Sequence, residues 1–270
     1  MDYQDIRFEV NDAVAVITMH RPDVRNAFSG QMGKELGEAY RACDGDDDIR
    51  AVVLTGTPPA FCSGADLSRG AGTFAADATE SFSAAGVDPP AFRIRKPVIA
   101  AVNGHAIGIG LTLALQCDLR IFAADAKYGI VQVRRGMIGD AYSHWTLPRI
   151  AGLANAADIL LTGRMIDGRE AQAMGIASRC VDAEEVLSLA MEIARDIAVN
   201  AAPLSVAISK RLLWEAVDST PEQVERLEAA LHLHLFEGPD VREGPAAFLE
   251  QRPPKWQQRV STDWPEWPEV

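Results

Sequence analysis

The first 200 residues alternate between short apolar runs and segments in which apolar residues recur at helical spacing. Apolar runs of this length, bounded by turn residues, predict buried β-strands. Asn11-Asp12 separates the first two runs and predicts a hairpin. The predicted strands cover residues 6–10, 14–19, 51–55, 97–102, 119–123, 128–133 and 176–181.

Helices are predicted where the apolar period lengthens. Ser29 is a candidate N-cap, because Met32, Leu36, Ala39 and Tyr40 follow it at helical spacing. Residues 203–250 are predicted to be helical almost throughout, and the last residues irregular. The other predicted helices cover residues 111–115, 141–150, 155–161, 183–199, 204–216, 221–235 and 241–250, with a break near Gly152. Strands followed by helices in this order favour an α/β fold.

Two stretches predict loops. Residues 44–48 are charged and predict a solvated turn. Residues 68–90 are rich in Gly, Ala, Ser, Thr and Asp, and predict a mobile loop with a weak helix, which a helical segment at 91–95 closes. Loops of this kind often carry substrate specificity.

The rest of the chain is organised around residues 96–123, KPVIAAVNGHAIGIGLTLALQCDLRIFA. Gly108-Ile109-Gly110 follows a predicted strand and begins a predicted helix. Free backbone N–H groups and the positive end of the helix dipole favour negative charge there. The alternative to such a site is that Gly108 and Gly110 only allow a helix and a strand to pack closely. A dinucleotide site is a weaker alternative, because Leu113 stands where the third glycine of that motif belongs.

A second glycine-containing bend lies upstream, in residues 60–67, AFCSGADL, after the predicted strand 51–55. Two such bends, each after a buried strand, can direct two backbone N–H groups at one oxygen atom. This arrangement is an oxyanion hole, which stabilises the negative charge that develops on a carbonyl oxygen. The pair of bends therefore favours acyl-transfer or enolate chemistry.

The two motifs together resemble the crotonase (enoyl-CoA hydratase/isomerase) superfamily. The resemblance extends over nearly the whole chain. Arg21-Pro22-x-x-Arg25-Asn26-Ala27 resembles the N-terminal signature of the family, and Leu161-Thr162-Gly163-Arg164 with Ala171-x-x-Met174-Gly175-Ile176-Ala177 resembles a later one. A shared fold does not fix the reaction, which must be argued from the site.

The resemblance implies a spiral of ββα turns in residues 1–202 that carries an acyl-CoA site. It implies that residues 203–270 form a helical region that closes the CoA site and builds a homotrimer or a hexamer, a dimer of trimers. On sequence alone, packing of these helices on their own subunit is an equal alternative. Coenzyme A is expected as part of the substrate, with no other cofactor and no metal.

By motif match, the oxyanion-hole donors are the backbone N–H groups of Ala65 and Ile109. The family usually has glycine at the second position, so Ile109 is expected to have a helical backbone rather than a left-handed one. The resemblance also implies a set of residues that bind the substrate or CoA. They are Arg25, Ala27, Ala65, Asp66, Leu67, Arg69, Gly108, Thr112, Gln132 and Phe248.

The phosphates of CoA need local positive charge in an acidic protein. Arg25 and Arg69 are the nearest candidates, although most arginines are simply solvated. Phe248 matches a C-terminal family position that packs near the adenine, commonly in a neighbouring subunit. The family often has lysine three residues later, where this chain has Gln251, so Arg252 or Lys255 could substitute.

Hydratases of this family use two glutamates, and the matching positions here are Thr112 and Gln132. Neither side chain exchanges protons near neutral pH, so ordinary hydration is not expected. Asp140 falls on a position that other branches use for catalysis, including dienoyl-CoA isomerases and 4-chlorobenzoyl-CoA dehalogenases. An N-cap for a helix beginning at Ala141 is the alternative role. His144 lies four residues on, and could form an acid/base pair with Asp140 or be structural.

Double-bond isomerisation with Asp140 as acid and base is therefore the predicted function, since it needs only one carboxylate. The alternatives are an acyl-CoA hydrolase or dehalogenase that uses Asp140, with or without His144, and an acyl-CoA-binding protein with reduced activity. His105 is expected to be structural. His232 and His234 cannot share a helix face, which argues against a metal site there.

Composition narrows the partners and the compartment. The formal net charge of −12 argues against nucleic acid as a partner. No apolar run is long enough to span a bilayer, and no leader sequence is evident, so we expect a cytoplasmic protein that does not enter membranes. The cysteines lack paired or metal-like spacing and are expected to be reduced thiols. They are Cys43, Cys62, Cys117 and Cys180.

Overall fold

A six-stranded sheet forms the centre of the computed structural model, which describes residues 3–68, 70 and 83–269. Its strand order is β1-β2-β3-β5-β7-β9. The hairpin β1–β2 is antiparallel, as predicted from Asn11-Asp12, and all other neighbours are parallel. The strands are β1 Ile6–Asn11, β2 Val14–Met19, β3 Ala51–Gly56, β5 Val98–Val102, β7 Leu119–Ala123 and β9 Arg179–Val181.

A smaller parallel sheet is formed by β4 Ala60–Cys62, β6 His105–Ile107 and β8 Tyr128–Gly129. Each turn of the chain thus contributes one strand to the large sheet and the next strand to the small one. Helices follow after β6 and after β8. This is the ββα spiral that the resemblance implied, and the glycine bends lie where the small strands end.

The helices are α1 Gly30–Gly45, α2 Ile109–Leu115, α3 Ser143–Thr162, α4 Gly168–Ala173, α5 Val186–Asn200, α6 Pro203–Ala216, α7 Pro221–Glu237 and α8 Asp240–Leu249. The predicted N-cap of α1 is confirmed, because the Ser29 hydroxyl accepts a hydrogen bond from the Met32 backbone N–H at 2.9 Å. The predicted break near Gly152 is confirmed as a kink in α3, where Gly152 has a φ of 75°.

Two apolar clusters hold these elements. The main cluster lies on the large sheet, whose strands β3 and β5 are entirely buried. A second, smaller cluster joins α6 and α7 to the C-terminal segment through Leu204, Ile208, Leu227, Leu231 and Trp264. A separate helical region from residue 203, and its part in oligomerisation, stay predictions. Within the described residues, no helix has the length and apolar character needed to cross a bilayer.

Several short elements differ from the prediction. The strand predicted at 128–133 has two residues, and a 3₁₀ turn at Gln132–Arg135 follows it. The strand predicted at 176–181 is confined to Arg179–Val181, while β4, β6 and α4 were not predicted. Elements of two to six residues are too short to show a hydrophobic period. Pairing with neighbouring elements fixes their conformation instead. Residues 83–90 of the predicted loop contain no helix, and residues 69 and 71–82 lie outside the described residues.

The solvated turn predicted at 44–48 is confirmed in part, because the chain turns at Asp47-Asp48 and residues 45, 46 and 48 are exposed, while Asp44 and Asp47 are half-buried and have partners. Asp44 still belongs to α1. Both oxygens of its carboxylate accept hydrogen bonds from the Arg95 guanidinium, with Nη2–Oδ2 at 2.8 Å. Asp47 accepts hydrogen bonds from the backbone and hydroxyl of Ser261. These carboxylates anchor the irregular C-terminal segment, whose Val260 carbonyl accepts a hydrogen bond from Arg95 at 2.9 Å.

Candidate active site

The two glycine bends pack directly against each other. A Cβ at Gly110 would overlap the carbonyl oxygen of Cys62, and a Cβ at Gly64 would come within 3.0 Å of the carbonyl oxygen of Ile107. Gly64 also has a φ of 103°, which side-chain-bearing residues rarely adopt. Glycine at both positions therefore lets the end of β4 and the start of α2 approach each other closely.

The backbone N–H groups of Ala65 and Ile109 donate to no acceptor among the described residues. Phe28 brackets Ala65, because its N–H binds the Gly64 carbonyl at 2.8 Å and its carbonyl accepts from Asp66 at 3.0 Å. Ile109 is the first residue of α2, and Gly108 before it has the left-handed φ of 56°. Two unpaired donors at adjoining bends are the local arrangement that an oxyanion hole requires.

Asp140 lies beside α2, at the end of a turn that follows Gln132–Arg135. Its Oδ1 atom accepts hydrogen bonds from Thr112 Oγ1 at 3.1 Å and from Gln132 Nε2 at 3.2 Å. Thr112 is one turn along α2 from Ile109, and its hydroxyl is also 3.1 Å from the Ile109 carbonyl oxygen. The structure thus brings two of the predicted site residues, Thr112 and Gln132, onto the carboxylate of a third, Asp140.

Burial raises the pKa of Asp140 above its usual value, while the hydrogen bonds from Thr112 and Gln132 partly oppose this rise. A raised pKa favours a carboxyl group that can both take up and release a proton. The side chains of Thr112 and Gln132 therefore both donate hydrogen bonds to one carboxylate and partly offset the effect of its burial.

A strained turn fixes Asp140 in place. Ala141 and Tyr142 both have positive φ values, 46° and 64°, which cost free energy for residues other than glycine. The Ala141 N–H binds the Ala84 carbonyl at 2.8 Å, and the Ala141 carbonyl accepts from Gln116 Nε2 at 3.2 Å. Strain held by such contacts is typical of functional sites.

The alternative role of Asp140 as an N-cap is wrong. Helix α3 begins at Ser143, two residues later than predicted, and Tyr142 occupies the cap position without a side-chain hydrogen bond. The left-handed backbone at Ala141 and Tyr142 delays the helix start, and the Asp140 carboxylate turns toward Thr112 and Gln132.

The structure does not join Asp140 and His144. The His144 side chain is exposed, and its Nδ1 lies 3.5 Å from the Ser143 hydroxyl, at the limit of a hydrogen bond. No hydrogen bond connects it to Asp140 in the described part of the chain. His105 is structural as expected, because its Nδ1 accepts from the Lys127 backbone N–H at 2.9 Å. A catalytic role for His144 stays a prediction without geometric support.

The predicted CoA-binding residues have different environments. Arg25 is exposed and has no side-chain partner among the described residues, so it is available for a phosphate. Phe248 is 82% exposed on α8, and Leu67 is exposed near the first bend. Arg69 lies outside the described residues.

Asp66 and Ala27, and the possible lysine substitute Arg252, have structural partners. Asp66 forms an ion pair with Arg21 at 2.9 Å, and the Arg21 guanidinium also binds the carbonyl of the buried residue Ala27. Arg252 binds both oxygens of Glu243, at 2.6 Å and 3.0 Å. The suggestion that Arg252 replaces the family lysine is therefore not supported, because its charge is already paired.

Sequence reasoning missed the roles of Asn26 and Gly86. The Asn26 amide donates to the carbonyls of Thr57 and Ala60, both at 2.7 Å, and this ties the N-terminal signature to the first bend. Asn26 has a φ of 53°, a conformation that asparagine tolerates better than most residues. A Cβ at Gly86 would lie 2.9 Å from Ile109 Cδ1, so the backbone at Gly86 packs closely against the Ile109 side chain.

No group of His, Cys, Asp and Glu suited to a metal ion occurs in the part of the chain that the structure describes. All four cysteines are free thiols, as predicted, and three of them are buried.

Comparison with known proteins identifies the family. The sequence profile of the "Enoyl-CoA hydratase/isomerase" family matches residues 9–259. The chain is 38% identical over 251 residues to the enoyl-CoA hydratase AFT3-1 of Alternaria alternata, covering 92% of this chain and 84% of that one. It is 36% identical over 260 residues to the probable enoyl-CoA hydratase echA8 of Mycobacterium bovis, covering 96% and 100%.

A crystal structure of a probable enoyl-CoA hydratase/isomerase from Mycobacterium abscessus superposes with a TM-score of 0.91. The two chains are 50% identical, over 94% of this chain and 99% of the other. Sequence, fold and the pair of glycine bends agree, and the chain belongs to the enoyl-CoA hydratase/isomerase family and has the crotonase fold.

Proposed function

We propose that the protein is a CoA-thioester isomerase that moves a carbon–carbon double bond along the acyl chain. The thioester oxygen binds the N–H groups of Ala65 and Ile109. Asp140 takes a proton from C2 of a 3-enoyl thioester, which leaves a dienolate, and returns a proton to C4. No atom is gained or lost, and one carboxyl group serves as base and then as acid.

The observation that carries this proposal is the setting of Asp140. It is a partly buried carboxylate with a raised pKa, next to Thr112 on the helix that begins with the second donor. Two N–H donors stabilise the dienolate oxygen, each by about 3 kcal/mol when well aimed. Hydration needs a second proton-exchanging group, and Thr112 and Gln132 provide none.

The names of the relatives above favour hydration as the competing function. Crotonyl-CoA distinguishes the two functions, because it accepts water in a hydratase. We expect its hydration to be weak or absent, since each missing acid or base costs about 10²–10⁴-fold in rate. Loss of absorbance of the enoyl thioester measures this reaction directly. A turnover number near that of an ordinary hydratase, measured in parallel, would show that other groups perform acid–base catalysis here.

The Thr112 hydroxyl stabilises the ionised form of Asp140, so removing it should shift the pH profile. In Thr112→Val the pKa of Asp140 rises further, because burial then acts with one opposing hydrogen bond fewer. The base must be ionised, so kcat/KM falls as pH falls through this pKa, and the acidic limb should move to higher pH. Thr112→Ser keeps the hydroxyl and should restore the wild-type profile. An unshifted profile in the valine variant contradicts this assignment.

The assembly and the CoA contacts are part of the same proposal. We propose a trimer or a hexamer built through α6–α8, where large apolar side chains are exposed. They include Leu213, Leu233, Phe236, Phe248 and Leu249. Phe248 then packs near the adenine and Arg25 receives a phosphate. A cytoplasmic location also belongs to the proposal.

A further inference from the structure

The side chain of Ile109 fills space beside the second glycine bend that glycine would leave open. Ile109 begins α2 and is only 6% exposed. A Cβ built on Gly86 would lie 2.9 Å from Ile109 Cδ1 and 3.7 Å from Phe28 Cζ. The Ile109 side chain therefore packs tightly against the backbone at Gly86, and the Phe28 ring lies on the same side of that glycine.

A short stretch of backbone, the 84–86 segment, runs from this side chain to the turn that follows the proposed catalytic carboxylate. At one end, the Ala84 carbonyl accepts a hydrogen bond from the Ala141 N–H at 2.8 Å. At the other end, α1 supports Gly86 from behind, because a Cβ on Gly33 would overlap the Gly86 carbonyl oxygen. The 84–86 segment is thus held at both ends beside the candidate site.

Ile109 and Asp140 lie on one side of α2, because Thr112 connects them. Residues three apart on a helix are neighbours on one face, which places Thr112 next to Ile109. Thr112 Oγ1 lies 3.1 Å from the Ile109 carbonyl oxygen and 3.1 Å from Asp140 Oδ1. The 84–86 segment therefore spans the distance between the Ile109 side chain and the turn after Asp140.

We infer that the Ile109 side chain limits the length of the acyl chain. This inference rests on the proposed function, which seats the thioester oxygen at the Ile109 N–H and requires Asp140 to reach C2 and C4. A chain in that position is enclosed by the 84–86 segment, and atoms beyond C4 meet the Ile109 side chain. The substrates are then thioesters whose chain ends within about two carbons of C4, because a close-packed wall has no room for more.

Saturated straight-chain ligands test the inference by binding alone. We would titrate the wild-type protein by calorimetry with butyryl-, hexanoyl-, octanoyl- and decanoyl-CoA. Each methylene that becomes buried should tighten binding about fourfold. We expect this gain to stop by hexanoyl-CoA, so that octanoyl- and decanoyl-CoA bind no more tightly. A gain that continues at this rate from hexanoyl- to octanoyl-CoA overturns the inference.

Two variants assign the limit to the Ile109 side chain. Ile109→Ala removes the side chain beyond Cβ but keeps the backbone N–H, so room for about two methylenes should open beside the 84–86 segment. Octanoyl-CoA should then bind about tenfold more tightly than hexanoyl-CoA. Ile109→Val removes only Cδ1, the atom nearest Gly86, and should make heptanoyl-CoA bind more tightly than hexanoyl-CoA.

Ile176→Ala is the matched control. It makes the same change at a fully buried isoleucine between α4 and β9, and should keep the wild-type limit. The inference is overturned if the limit moves equally in this control. It is also overturned if Ile109→Ala and Ile109→Val still bind butyryl-CoA and both keep the wild-type limit.

The same titrations separate this inference from the function on which it rests. Absence of binding by every acyl-CoA to the wild-type protein would contradict the proposed function, and the inference with it. Binding of butyryl-CoA, with affinity that keeps rising to decanoyl-CoA, contradicts the inference alone and leaves the oxyanion hole and Asp140 in their proposed roles.

Discussion

Asp140→Asn should fold and bind acyl-CoA, yet lose turnover by about 10²-fold or more. Asparagine keeps the shape of the side chain and can still accept hydrogen bonds from Thr112 and Gln132 through its amide oxygen. It cannot take up and return a proton. The loss should appear in kcat with little change in CoA affinity, because the N–H groups of Ala65 and Ile109 are untouched. Steady-state kinetics and calorimetric titration measure the two quantities.

Asp158→Asn is the matched control for this variant. It makes the same chemical change at an exposed carboxylate of α3, whose partner is Arg164. Surface ion pairs contribute about 0–1 kcal/mol, so this variant should retain wild-type turnover and nearly full stability. Near-normal turnover in Asp140→Asn would instead leave Asp140 as a structural residue. The search for the acid and base would then move to His144 and to residues 68–90.

Lys210→Met should have the largest effect on stability among the changes considered. Lys210 is 5% exposed on α6, and its ammonium group contacts Asp118 Oδ2 and the carbonyls of Ala91 and Lys96, each at 2.8 Å. Asp118 in turn accepts hydrogen bonds from the backbone N–H of Val98, at the start of β5. Lys210 therefore joins the C-terminal helices to the strand–helix–strand unit that carries Ile109.

Methionine matches the length of the lysine stem and leaves the partly buried Asp118 carboxylate without its cation. Breaking a buried ion pair in this way costs about 3–5 kcal/mol in the free energy of unfolding. Urea denaturation at fixed protein concentration measures the loss. The same change at Arg169, whose ion pair with Asp125 is exposed, should cost no more than about 1 kcal/mol. A cost of that small size at Lys210 too would mean that water reaches Asp118.

The hydrophobic pattern predicted the elements that are long or wholly buried. The observed bounds lie within about a residue of the predicted ones for β2, β3, β5 and β7. A short continuous apolar run bounded by turn residues is typical of a buried strand. The strands of the small sheet were not predicted as such. They have two or three residues each, and only their neighbours in space determine their conformation.

The candidate site divides in the same way. Glycine spacing and motif resemblance predicted both glycine bends, because close backbone approach demands glycine at Gly64 and Gly110. The hydrogen bonds from Thr112 and Gln132 to Asp140 could not be predicted from sequence spacing. Asp140 is followed by positive φ values at Ala141 and Tyr142, which side-chain preferences do not signal. With this left-handed backbone at Ala141 and Tyr142, α3 begins at Ser143 rather than at Ala141. Asp140 is therefore not its N-cap, and the His144 side chain is exposed.

In the proposed reaction, one carboxylate moves a proton along a CoA-bound acyl chain. Product analysis of a 3-enoyl-CoA such as 3-hexenoyl-CoA tests it most directly, with the reaction run in deuterium oxide and followed by NMR and mass spectrometry. We predict 2-hexenoyl-CoA as the main product, with deuterium exchanged at C2 or C4 and no added oxygen, and no such product from Asp140→Asn. A hydroxyacyl thioester as the main product, or an unchanged 3-enoyl thioester, would contradict double-bond isomerisation by Asp140.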